Sequence, residues 1–213
     1  MKKVEFKGLD QSYYTETLEN GLQVYVIPYE NKNQYHVSLV TKFGSDDTSF
    51  IPEGEKEMTT VPNGIAHFLE HKMFETEKGE DPFTFFSKTG CDSNAYTSYT
   101  QTAYILSGTE SFETNLDYLL TYVNSPYFTD ENVEKEKGII GQEIGMYDDD
   151  PAWTLYMNAM DCLYKENAIK IDIAGTVESI SKIDKDVLYK CYNTFYHPSN
   201  MVMVLCGNFN PEE

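Results

Sequence analysis

The chain has 213 residues, 40% of them hydrophobic and 14% aromatic, which is enough to bury a sizeable core, and no Gly/Ser-rich or Pro-rich linker divides it. A formal charge of −19 at pH 7 argues against nucleic acid or an anionic membrane surface as a partner. No run approaches the ~20 apolar residues of a membrane span, and Met1-Lys2-Lys3 leads into a polar stretch rather than the apolar core of a signal peptide, so a cytoplasmic location is expected.

Alternating β-branched and aromatic residues predict strands over 22–28 and 36–43. Residues 44–62, rich in Gly, Pro, Asp, Glu and Ser, read as a mobile surface loop near the functional site. Helices are predicted over 64–74, with Asn63 as N-cap, and over 82–88. Strands over 92–99 and 102–107 follow, then helices over 112–124, 130–148, 151–163 and 185–195, and a last strand over 201–206. Thr129 or Asp130 can cap the helix over 130–148. The pattern is that of an α/β (α+β) domain: a largely antiparallel sheet flanked by helices. Gly138, Gly141 and Gly145 would each cost their helix about 0.8–1 kcal/mol against alanine. Their excess predicts close packing against a neighbour, the helix over 64–74. Cys91, Cys162, Cys191 and Cys206 form no C-x-x-C pair and are expected to be reduced, ordinary residues, with Cys91 buried just before a strand.

The helix over 64–74 contains His67-Phe68-Leu69-Glu70-His71. At about 3.6 residues per turn, positions i and i+4 share a face and i+3 lies beside them, so His67 and His71 can hold one metal ion while Glu70 overhangs it. Two neutral imidazoles suit zinc at about 2.0–2.1 Å, and a catalytic site then needs one more protein ligand and an open position for water. The H-x-x-E-H order is the inverted form of the H-E-x-x-H zinc-protease motif. The plainer alternative is an amphipathic helix buried through Ile65, Phe68, Leu69 and Phe74, whose histidines bind nothing.

The helix over 130–148 offers the third ligand. Its apolar stripe reads Val133, Ile140, Ile144 and Tyr147, and Glu136 and Glu143 fall at the same spacing, so both carboxylates point toward the core. A buried carboxylate costs several kcal/mol unless it is paired or coordinates a metal. A metal would relieve one of them, and the spacing does not say which.

The segments Gly64-Ile65-Ala66-His67-Phe68-Leu69-Glu70-His71 and Glu134-Lys135-Glu136-Lys137-Gly138-Ile139-Ile140-Gly141-Gln142-Glu143 resemble the insulinase/pitrilysin (M16) family of zinc metallopeptidases, which includes the mitochondrial processing peptidase. Asn94-Ala95-Tyr96-Thr97-Ser98, Asp148-Asp149-Asp150-Pro151 and Tyr196-His197-Pro198-Ser199-Asn200-Met201 are similar as well. The run from His67 to Glu75 most resembles bacterial members that work beside a catalytically dead homologue. The resemblance implies a zinc-dependent endopeptidase with one Zn2+ per domain, held by His67, His71 and Glu143. Glu136 would support the site from behind, and Glu70 would serve as general base. It also implies that a peptide substrate pairs with the strand carrying Ser93, Asn94, Ala95, Tyr96 and Thr97.

The family's enzymes are two to four times longer. Residues 1–213 would then be the N-terminal domain of a longer protein, weakly active or inactive alone and completed by a C-terminal half or a homologous subunit. One departure from the family is Lys137, where relatives commonly have Arg; the chain contains no arginine, and a lysine lacks the planar fork for bidentate pairing. Two other readings are a noncatalytic scaffold or partner subunit and a purely structural zinc protein. The second would need four protein ligands, with His36 or His197 as the histidines that could approach in space.

Overall fold

A computed structural model describes residues 1–8 and 11–211 of the chain. Among these, the strands are β1 (Lys2–Glu5), β2 (Ser12–Thr17), β3 (Gln23–Pro28), β4 (Tyr35–Thr41), β5 (Ser49–Phe50), β6 (Thr59–Thr60), β7 (Asp92–Thr97), β8 (Thr102–Gly108) and β9 (Met201–Gly207). The helices are α1 (Ile65–Lys72), α2 (Pro82–Lys88), α3 (Phe112–Val123), α4 (Asp130–Asp148), α5 (Pro151–Leu163), α6 (Val177–Ile180) and α7 (Lys185–Phe195). A seven-stranded sheet runs β1-β2-β3-β9-β4-β8-β7, and β5 pairs with β6 apart from it. Only the β3–β9 pair in the large sheet is parallel, because β9 returns beside β3 after the helices have been traversed. The expected α+β architecture with a largely antiparallel sheet is what forms.

Period-two alternation puts Val37 and Leu39 of β4, Tyr104 and Leu106 of β8, and Met203 and Leu205 of β9 on the face that the helices cover. Phe68, Leu69, Leu119 and Ile140 meet them from α1, α3 and α4. Phe68 is completely buried, so Phe68→Ala should cost about 3–5 kcal/mol in denaturant unfolding and loosen the helix that carries both histidines.

Tyr104 and Tyr196 share a 2.8 Å hydroxyl hydrogen bond, and Tyr122 packs edge-on against Tyr104. Burial pushes all three hydroxyls well above the ordinary tyrosine range. The unfolded chain releases these protons near pH 10 and the folded chain keeps them, so stability holds below about pH 10 and falls as pH rises beyond it. The expected loss is up to about 1.4 kcal/mol per pH unit for each tyrosine, measurable by denaturant titration on either side of that pH.

Several expectations need correction. Residues 44–62, expected as a surface loop, hold short regular elements. They contain the β5–β6 hairpin, and Phe50 packs on Phe195 at 4.7 Å while Glu55 pairs with Lys190 at 3.1 Å, which ties the segment to α7. Asn63 does not cap α1. Gly64 takes that place at φ 89 without a side-chain cap, and a Cβ there would lie 2.4 Å from the Ala174 carbonyl oxygen, so only glycine allows this approach. The glycines of α4 do not pack on α1 either: a Cβ at Gly138 or Gly145 meets nothing within 4 Å, and one at Gly141 meets only Val177, at 4.0 Å. Nothing in the structure explains their excess. Tyr147, placed in the apolar stripe, is 40% exposed. Strands β1 and β2 escaped the sequence pattern because KKVE and SYYTET are polar and barely alternate. No helix of the described residues is long and apolar enough to cross a membrane.

Candidate active site

Ile65, Ala66, Phe68 and Leu69 bury one side of α1, which leaves His67 and His71 on the side that meets α4. Thr129 caps α4 through a reciprocal box with Asn132, which fixes where that helix starts. From this start, Glu136 and Glu143 face α1 two turns apart. His67 Nε2 lies 3.7 Å from Glu143 Oε1, and His71 Nε2 lies 3.5 Å from Glu143 Oε2. Among the described residues, His67, His71 and Glu143 form a metal-competent group, with one donor atom from each lying within 4.8 Å of the others. Donors bound tetrahedrally at about 2.0–2.1 Å are separated by about 3.3 Å, so each imidazole already stands within a few tenths of an ångström of that spacing from its nearer Glu143 oxygen, and the group as a whole tightens to hold zinc.

The protonation states agree with that fit. Burial, helped by the neighbouring His71, pushes His67 down to about 4, so its imidazole is neutral at physiological pH as a metal ligand must be. Its Nδ1 is buried without a hydrogen-bond partner among the described residues. For His71, burial alone would lower the pKa, but the Glu136 hydrogen bond and the surrounding carboxylates outweigh it and the net direction is upward. His71 Nδ1 sits 3.0 Å from Glu136 Oε1, an arrangement that leaves Nε2 as the lone-pair donor once the ring is neutral. Burial would raise Glu136, yet the His71 hydrogen bond and the charge of Lys72 bring it below the usual carboxylate range.

Glu70 is 7% exposed, and its Oε2 accepts a 2.5 Å hydrogen bond from Thr97 Oγ1 on β7. Burial raises its pKa, partly opposed by that hydrogen bond. The group lines a cleft of about 550 Å³ whose walls include Asn94, Ala95, Tyr96 and Thr97 of β7 and Tyr147, Trp153 and Asp172 on the other side. Among the described residues, β7 is an edge strand of the sheet, paired with β8 alone. Two imidazoles, a carboxylate, a second carboxylate in reach and an open strand edge can together hold a metal, activate water and dock an extended chain.

Comparison with known proteins bears on this geometry. Residues 50–177 match the family model described as insulinase (peptidase family M16), and residues 182–213 match the peptidase M16 inactive domain. The chain belongs to the M16 peptidase family. It is 54% identical, over all of its length, to 49% of the uncharacterized zinc protease YmfH of Bacillus subtilis. An M16-like peptidase from Alicyclobacillus acidocaldarius superposes with a TM-score of 0.91 at 46% identity, over 96% of this chain and 48% of that one. The first half of the periplasmic protease PqqL from Escherichia coli gives 0.76 at 26% identity, over 94% of this chain and 43% of that one. The chain therefore spans about half the length of the relatives it matches.

Within this M16 domain the structure sorts the remaining sequence candidates. Ser93 lies on β7 but not in the cleft wall. His36 is occupied by Ser107 and Ser38, and His197 by Ser199, so neither joins the cluster. Lys137 pairs with Glu134 on its own helix. Cys91 is buried, which raises its thiol pKa, and none of the four cysteines is in a disulfide. Sequence reasoning missed Lys72, whose buried side chain reaches Glu136, and Asp172, which accepts the indole N–H of Trp153 at 2.7 Å. A charged residue directly after the second histidine was the available signal for Lys72.

Proposed function

We propose that this chain is the zinc-binding catalytic domain of a metalloendopeptidase that hydrolyses peptides or unfolded segments, with one Zn2+ held by His67, His71 and Glu143. The observation that carries this reading is the convergence of those three donors and the Glu70 carboxylate in one cleft that opens on a free strand edge. The chemistry supplied by a bound zinc is polarisation of the scissile carbonyl and acidification of water. Glu70 removes the proton of the attacking water and returns it to the nitrogen of the leaving amine. Thr97 donates to Glu70 Oε2 and so fixes the orientation of the carboxylate that carries this proton. Burial favours the protonated form of Glu70 and thus brings its proton affinity closer to the working pH. Glu136 holds His71 with Nε2 turned to the cleft.

An extended peptide adds to β7 by backbone pairing, which makes affinity largely independent of its side chains. The substrate-positioning groups that this domain lacks come from a C-terminal half or a homologous subunit, a reading supported by relatives about twice as long. The chain alone should bind zinc and cleave peptides weakly. The intact donor set weighs against a scaffold role.

The test is a peptide-bound structure of the Glu70→Gln variant, together with chelator-sensitive cleavage of unstructured peptides followed by mass spectrometry. The expected peptide lies along β7 with its carbonyl beside His67 and His71. A peptide bound away from β7 would refute the strand addition, and cleavage that survives chelation would refute the zinc mechanism.

A further inference from the structure

Lys72 follows His71 directly, yet its side chain is completely buried. Its Nζ lies 2.8 Å from Glu75 Oε2 and 3.5 Å from Glu136 Oε2, and it donates to the Asn132 carbonyl at 3.1 Å, so the buried cation stands between two carboxylates and a carbonyl oxygen. Glu136 Oε1, the other oxygen of that carboxylate, meets His71 Nδ1 at 3.0 Å. A continuous chain of polar contacts thus runs from the partly exposed Glu75 through Lys72 and Glu136 to the His71 imidazole. Burying a cation is costly, and an apolar side chain of similar length would fill this space without that cost. What an apolar residue could not do is hold the Glu136 carboxylate in place.

We propose that Lys72 is a positioning residue of the metal site: it anchors Glu136 Oε2, so that Oε1 takes the Nδ1–H of His71 and His71 presents Nε2 to the metal. This rests on the reading of His67, His71 and Glu143 as the ligands. Without Lys72, Glu136 keeps His71 as its side-chain partner but loses the contact that fixes its plane, and the His71 ring is free to rotate or change tautomer.

The experiment compares wild type, Lys72→Met, Glu136→Gln and the double variant by zinc affinity from chelator competition. The ring nitrogen NMR signals of His71 are recorded on the zinc-free chain in mildly alkaline buffer, and thermal unfolding serves as the fold control. Lys72→Met should weaken zinc binding about 10- to 100-fold. It should also convert His71 from a single Nδ1–H tautomer to a mixture, and it should cause no further loss of affinity when added to Glu136→Gln. A folded Lys72→Met chain with wild-type zinc affinity and tautomer overturns the proposal, as does an equal loss in the Glu136→Gln background. Should Lys72→Met fail to fold, Lys72→Met/Glu75→Gln, which keeps the net charge, takes its place under the same criteria. A wild-type chain that binds no zinc would refute the ligand reading, and the tautomer comparison would still decide the role of Lys72.

Discussion

Glu143→Ala is expected to weaken zinc binding by roughly a hundredfold or more while leaving the fold intact. Zinc sites with four protein ligands gather about 10–16 kcal/mol, or about 3 per ligand, and each 1.4 kcal/mol is a factor of ten. Glu143 supplies the only carboxylate in the donor group. Its side chain is 29% exposed, and its neighbours in the cluster are the two imidazole nitrogens rather than core groups. Removing it should therefore change the stability of the zinc-free chain by less than about 0.5 kcal/mol. Chelator competition and thermal unfolding of the zinc-free chain separate the two effects. Undiminished zinc affinity in Glu143→Ala would remove it from the ligand set and reopen the choice between the two glutamates of α4.

Glu70→Gln is expected to do the opposite: zinc stays and turnover goes. Glu70 is not one of the three convergent donors, and its Oε2 is taken by Thr97. Loss of a positioned general base lowers rate by about 10²- to 10⁴-fold. Because burial works against the charged carboxylate at this position, the neutral amide should leave the domain as stable or more so. The readouts are metal content, cleavage rate and melting temperature on one preparation. Zinc lost together with activity would mean that Glu70 coordinates rather than shuttles protons.

Much of this site was legible in the sequence because its parts are local. The H-x-x-E-H spacing fixes three side chains on α1 whatever the rest of the chain does, and the seven-residue step from Glu136 to Glu143 fixes two more on one face of α4. Helices α2, α4, α5 and α7 formed over the residues expected, α4 with one of its two expected caps, Thr129. Spacing alone did not choose between Glu136 and Glu143; the family resemblance pointed to Glu143, and the packing of α1 on α4 gives the physical reason by putting one carboxylate at Nε2 and the other at Nδ1. Thr97 was expected on the substrate strand, but its hydrogen bond to Glu70 depends on β7 lying beside α1 and has no signal in the sequence. Lys72 was hidden for a related reason: a lysine on an amphipathic helix reads as solvated, and only Glu136 and the Asn132 carbonyl, distant in sequence, make its burial tolerable. The glycines of α4 misled because helix propensity describes a cost without naming its cause, and their surroundings proved open.

The most direct test of the zinc site is anomalous diffraction at the zinc edge on crystals of the zinc-loaded chain. One peak should appear between His67 Nε2, His71 Nε2 and the Glu143 carboxylate, with bonds of about 2.0–2.1 Å and a further position left to solvent. A peak at another group, a fourth protein ligand closing the site, or no peak in a well-ordered cleft would contradict it.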